Sequence, residues 1–242
     1  MPCAFAQTGK VIYNYNIVSV KKNSNGANGY TKGELYFNDT MFIYYELNPN
    51  MGTGYETKQT SENSGTIQVK SPSKYLFEHI HFIKTKEDFI YEMVLLKPGQ
   101  YKKKDSIPVW DLMTEKKQIG KYTCQKAVTQ FCGRLWIAWF TTELPYPFGP
   151  WKLHGLPGLI LEANDVDNKY SFDFISINMP DTLVKSPFFE EVQKGNIKLE
   201  YKEFVEQKKK YYTNLESKGR TIGGEKITNG SFKIAESRDI DF

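Results

Sequence analysis

The sequence predicts a mainly β protein: a strongly twisted antiparallel sheet, open and half-barrel-like, with one C-terminal amphipathic helix. Three observations predict it. Aromatic residues make up 15% of the 242 residues, with 16 Tyr and 16 Phe, and such side chains fit half-buried pleated surfaces. Short segments alternate apolar and polar residues with period two between polar or Pro/Gly turns. Only one late segment carries helical spacing. A closed barrel or a sandwich is the alternative arrangement of the same strands.

The elements follow in order. Residues 10–21 alternate through Val11, Tyr13, Tyr15 and Ile17, and strands at 33–37 and 41–47 continue a meander. Residues 22–29, rich in Asn, Ser and Gly, read as a flexible turn, and 48–65 as a long polar connection where any lid would sit. Further strands are expected at 66–70, 79–85 and 89–96, followed by a Pro98-Gly99 turn. The middle holds strands at 108–113, 117–128, 134–142, 159–163 and 169–177, joined by short links that favour antiparallel pairing. Residues 144–157 interrupt them with Pro145, Pro147, Pro150 and Pro157, which cannot donate to a ladder, so this stretch is a rigid connection.

The helix is expected near 197–217, where Ile197, Tyr201, Phe204, Val205, Tyr212 and Leu215 recur at helical spacing. Lys208-Lys209-Lys210 reads as its solvated face, with a membrane surface or anionic partner as the alternative. The tail from 221 to 242 is an edge strand or disordered. Residues 7–242 therefore read as one β-rich domain. Residues 1–6 read as the remnant of a signal peptide, because Ala4-Phe5-Ala6 has the small-x-small form of a cleavage site; the alternative is a chance match.

Composition excludes several classes. The net charge of +4 is a small excess of 32 basic over 28 acidic residues, which does not indicate nucleic acid. No apolar run approaches the roughly eighteen residues of a transmembrane helix. Three cysteines are too few for a disulfide scaffold. Cys124 and Cys132 would face each other across a hairpin centred near Val128 and could pair in an exporting compartment, or each could be a buried thiol.

Residues able to carry chemistry are sparse. His79 and His81 alternate onto one side of a strand, but no third ligand is evident, so no metal site and no cofactor is expected. His154 lies beside the Pro/Gly stretch without a nucleophile elbow. Asp165 and Asp167 fit a hairpin turn better than a calcium loop, and Gly223-Gly224-Glu225-Lys226 lacks the spacing of a phosphate loop. Trp110, Phe131, Trp136, Trp139, Phe140, Tyr146, Phe148 and Trp151 form either core or the lining of a groove. Alternation sends Trp136 and Trp139 to opposite faces, so one of them needs another cover.

Gly155-Leu156-Pro157-Gly158-Leu159-Ile160 spells a signature hexapeptide. Trp110, Ile119-Gly120-Lys121-Tyr122, Cys124, Gly133-Arg134, Ala138-Trp139-Phe140-Thr141 and Gly149-Pro150-Trp151-Lys152 precede it in order. Over 110–177 the chain resembles the GLPGLI family of the Bacteroidetes cell envelope, departing from its pattern at Cys132. That resemblance implies an exported periplasmic or envelope-associated protein, often encoded near outer-membrane transporters, with no established activity.

Physically, Gly155 and Gly158 allow positive φ or close backbone approach and Pro157 fixes its own φ, so the hexapeptide leads the chain into a strand. The functional expectation is a noncatalytic accessory that binds an outer-membrane transporter or other envelope protein through Trp139, Tyr146, Phe148, Trp151, Lys152 and His154. The alternative is a carrier holding a lipid or other apolar ligand in a concave sheet. A third reading is a hydrolase pairing His154 with Glu143 or Glu162.

Overall fold

The period-two segments assemble into a single antiparallel sheet of eleven strands. The computed structural model describes residues 8–17, 29–49, 51, 55–61, 64–69, 73–94, 97–104, 107–183, 185–217, 221–222 and 225–226. Residues 1–6, where the sequence suggests a signal-peptide remnant, most of the 22–29 turn and most of the tail lie outside the described residues.

The first half comprises β1 (Gly9–Ile17), β2 (Gly29–Phe37), β3 (Met41–Leu47), β4 (Tyr55–Ser61), β5 (Ser64–Val69), β6 (Tyr75–Phe82), β7 (Glu87–Val94) and β8 (Lys97–Lys104). The second comprises β9 (Asp111–Ile119), β10 (Tyr122–Phe131), β11 (Arg134–Thr141), β12 (Leu159–Asp165) and β13 (Tyr170–Asn178). Spatial order is β8-β7-β6-β3-β2-β1-β13-β12-β11-β10-β9, with β4 and β5 paired separately as a ribbon. The chain thus walks from the centre to one edge, restarts at the opposite edge and returns until β13 pairs with β1.

Connectivity forces this sheet to curl. Eleven strands about 4.8 Å apart would span about 48 Å if flat. Yet Lys104, ending β8 at one edge, and Asp111, opening β9 at the other, are joined by a stretch that reaches about 25 Å at most. The edges must therefore approach each other. They do not pair, so the sheet is open, as the sequence predicts, and is not closed into a barrel.

Several local expectations are corrected. Pro98-Gly99 is not a turn but part of β8, an edge strand where a missing N–H is tolerated. The 48–65 connection contains β4 and the start of β5. The link expected between 113 and 117 is instead a two-residue turn at Gly120-Lys121, where Gly120 takes φ 57. The hairpin expected around Val128 turns at Cys132-Gly133, with φ 49 and 73. Cys124 therefore lies along the same strand as the turn, about 26 Å of extended chain from Cys132, and both are free thiols.

Two helices and a short antiparallel pair in the tail, β14 (Thr221–Ile222) with β15 (Glu225–Lys226), complete the described residues. The first, α1 (Pro187–Gln193), escapes sequence reading because seven residues show little periodicity. Its signals are the Ser186 cap, whose Oγ accepts from the Phe189 N–H, and Pro187 at the first turn. Phe188, Phe189 and Val192 pack with Ile197 over Tyr36, Ile43, Tyr45 and Ile80, covering the outer side of β2, β3 and β6.

The expected late helix is α2 (Tyr201–Ser217), shorter at its start than 197–217. It lies against β8, where the Phe204 and Tyr101 rings stack at 4.3 Å. Lys208 is a correction to the solvated lysine run: it is buried and donates to Glu92, whereas Lys209 and Lys210 are exposed.

Candidate functional site

After β11 the chain does not run outside the sheet. Residues 142–158 fold back across its concave face as a plug, and 148–154 are buried without interruption. Burying irregular backbone requires partners for its polar groups. Leu153 N–H donates to Pro150 O, Gly155 N–H to Pro147 O, Leu159 N–H to Leu144 O and Ile160 N–H to Phe148 O. Tyr13 Oη donates to Ile160 O and Trp110 Nε1 to His154 O, tying the plug to its surroundings. The hexapeptide uses both freedoms of glycine: Gly155 takes φ 91, while a Cβ at Gly158 would overlap the carbonyl of Thr141.

The residues expected to form a docking surface are mostly core. Phe148 packs on Phe37 and Phe42, and Trp151 lies 5.2 Å from Trp136 and 6.1 Å from Phe131, centroid to centroid. Lys152 is buried, its Nζ donating to Tyr101 Oη and standing 5.4 Å from the Trp151 ring. His154 is buried as well. Tyr146 is half-buried against Phe37 at 4.6 Å. Trp139 stands apart, half-buried with Lys117 Nζ 4.5 Å above its ring. The surface expectation fails because the curled sheet encloses the segment that sequence alone leaves outside. The signature residues Leu156, Gly158, Leu159 and Ile160 are buried with it, leaving Gly155 and Pro157 exposed.

What the plug closes over is a cluster containing every histidine of the chain. On β6, His79 and His81 point to the inner face with Phe77, while Ile80 packs on the α1 side. The register of the β6–β7 hairpin sets Asp88 directly opposite His81, and all three side chains are buried. Asp88 Oδ1 lies 2.6 Å from His79 Nε2 and 2.8 Å from His81 Nδ1. His79 Nδ1 is 2.8 Å from the Trp151 carbonyl. The plug brings in His154, whose ring centre lies 4.6 Å from that of His81 and 6.0 Å from that of His79. Phe42 packs against all three imidazoles.

The electrostatics follow from this geometry. Burial pushes the Asp88 carboxyl up, but the hydrogen bonds and charges of His79 and His81 together hold it well below the usual range. Burial, reinforced by His81 and His79, pulls His154 down to about 3, so its ring is neutral at pH 7. His154 Nε2 finds no hydrogen-bond partner among the described residues. The Trp151 carbonyl can only accept, so His79 Nδ1 carries a proton.

The sequence expected no metal site because a third ligand was missing. The structure supplies one: donor atoms of His79, His81 and Asp88 all lie within 4.8 Å of one another. Sequence reading missed Asp88 because it placed that residue between strands at 79–85 and 89–96. The observed strands meet around 83–86, which moves Asp88 into β7 opposite His81. The hydrolase pairing is not assembled. Glu143 is exposed and accepts the Thr123 N–H, and Glu162 pairs with Lys117 beside Trp139.

A family model described as a protein of unknown function, Porph_ging, matches residues 133–162, which include β11, the plug and the hexapeptide. Two solved structures of PNGF-II, in C2 and P21 space groups, are similar at 14% and 16% identity, each with a TM-score of 0.53 over 84% of this chain. The likeness is one of fold. The match covers 33% and 34% of those chains, so this chain spans about a third of their length. Comparison with curated proteins gives no match.

Proposed function

We propose that this chain is an exported, noncatalytic protein of the GLPGLI type that binds an outer-membrane transporter or other envelope protein through the β9 margin of its sheet. The observation that carries the reading is the contrast in cover between the two edges. At β8 the Lys102 N–H donates to Leu199 O and the strand bridges to Glu200, so that edge is occupied, and Pro98 interrupts it further. At β9 no strand pairs on the outer side among the described residues.

Apolar residues gather at the same end. Val109 is 85% and Leu112 53% exposed. Leu135 and Val166 are also exposed, and the Val166 N–H donates to Leu135 O. Gln130, the cross-strand partner of Leu135, sits next to Thr129, whose hydroxyl donates to Val109 O. An edge with no outer strand paired among the described residues, beside such side chains, suits an extended segment of a partner protein that adds as a further strand.

Placement in the envelope draws on the ordered sequence blocks around the hexapeptide. Among the described residues no helix is long and apolar enough to cross a membrane. The carrier alternative has less support. The plug and inward aromatics fill the concave face, and the open pocket beside Cys124, Phe140 and Glu143 has a volume of about 170 Å³, below the usual ligand-pocket range.

The test is crosslinked affinity capture of the tagged full chain from its native envelope, with protein and lipid identified in one eluate. A stoichiometric envelope protein retained by wild type and lost on combining Val109→Asp with Leu112→Asp supports the β9 margin. Equal capture by that variant sinks the margin, and bound lipid without a protein partner turns the reading to the carrier.

A further inference from the structure

The geometry points to a divalent metal site of the zinc class, formed by His79 Nε2, His81 Nδ1 and the Asp88 carboxylate beneath the plug; His154, whose ring centre lies 4.6 Å from that of His81, is the group that would turn in as a fourth ligand. Two borderline imidazole nitrogens and one hard carboxylate oxygen form a donor set that Zn²⁺ accepts. Zinc bonds of about 2.0–2.2 Å separate tetrahedral ligand atoms by roughly 3.3 Å. The present contacts of 2.6 and 2.8 Å need open only slightly to admit an ion.

Two further observations single out a metal over a plain hydrogen-bond network. His79 donates its Nδ1 proton to the Trp151 carbonyl, an outer contact that would leave the Nε2 lone pair directed at an ion once the ion displaces the Nε2 proton now held against Asp88. His154 is buried and adjacent, with Nε2 unpartnered among the described residues. An orphaned buried nitrogen has a cost that metal coordination removes.

The consequence is structural. With His154 turned in, four buried protein ligands make a closed site, which stabilises a fold instead of activating water. It would clip the β6–β7 hairpin to the plug, joining residues 79–88 to residue 154 across the concave face. Because the cluster is sealed, the ion must enter as the chain folds.

The experiment starts from wild-type full chain unfolded in denaturant with chelator and refolded with either Zn²⁺ or Co²⁺, excess ion being removed. One ion per chain is expected, with an intense tetrahedral Co²⁺ band, no thiolate charge transfer and a higher melting temperature than chelator-refolded protein. Imidazole scattering in zinc X-ray absorption reports this cluster alone, since the chain has three histidines. His81→Gln and Asp88→Asn should lose stoichiometric binding. Folded wild type that retains no ion, or a weak octahedral Co²⁺ band that survives His81→Gln, overturns the site. Should either variant fail to fold, the wild-type stoichiometry and X-ray absorption still decide.

Discussion

The plug and the β9 margin have exchanged the roles their sequences suggest. Residues 144–157, with four prolines and a row of aromatics, look like a presented loop, whereas β9 looks like one more strand. In the folded chain the plug's 148–154 stretch is interior and β9, with Val109 before it, is largely exposed. The difference teaches that residue type does not decide exposure in a curled sheet. What decides it is whether a connection crosses the concave or the convex side. Aromatic anchors in the plug act on stability, and the proposed recognition would fall to the edge left uncovered among the described residues.

Removing the plug's central anchor is the most direct way to break this comparison. Trp151→Ala should cost about 3–5 kcal/mol, because a buried indole between Trp136 and Phe131 leaves a cavity the sheet cannot close. Urea unfolding followed by circular dichroism measures it. A loss below about 1 kcal/mol would show that the plug is not held as core.

The next effect concerns the outer side of β6, where Glu78 accepts from Ser186 at the α1 cap. Burial pushes this carboxyl up to about 7, against the opposing Ser186 hydrogen bond. The folded chain then holds a proton that the unfolded chain releases above about pH 4.5. Stability contributed by this group is present at acid pH and lost as pH rises through 7. Relative to Glu78→Gln, wild type should lose on the order of 2–3 kcal/mol between about pH 4 and pH 8. Parallel curves for the two proteins in a pH series of denaturant melts would refute this.

A smaller effect lies at the hairpin turn leading into β11. Cys132 takes φ 49 and Gly133 φ 73, a two-residue turn with positive φ at both positions. Asn tolerates that conformation better than Cys, so Cys132→Asn should stabilise by about 1 kcal/mol. Thermal unfolding under reducing conditions reads the gain.

The smallest stability change is expected at the β9 margin itself. Leu112→Asp should stay within about 0.5 kcal/mol of wild type, since its side chain is half in solvent. A large loss would mean that this side chain supports the fold and is not held ready for a partner.

Much of the sheet was legible because strand alternation is local. β3 is found at its predicted limits and β11 within one residue of them, since Arg134 and Trp136 alternate with Leu135 and Ile137 between clear turn signals. Short α1 and the β6–β7 register were not legible, for a helix of seven residues lacks periodicity and a shift in hairpin centre leaves alternation unchanged. That shift hid Asp88. His79 and His81 could be placed on one side of a strand, but only pairing revealed what stood opposite.

From sequence alone came the class of the fold, its openness, the late helix and the two glycine-dependent positions of the hexapeptide, because propensity, period and φ are properties of neighbouring residues. Tertiary structure alone decided which face the 142–158 segment crosses, that His79 and His81 meet Asp88 beside His154, and which edge stays uncovered among the described residues. These depend on where residues some seventy positions apart come to rest when a sheet of eleven strands curls, and no local pattern encodes that distance.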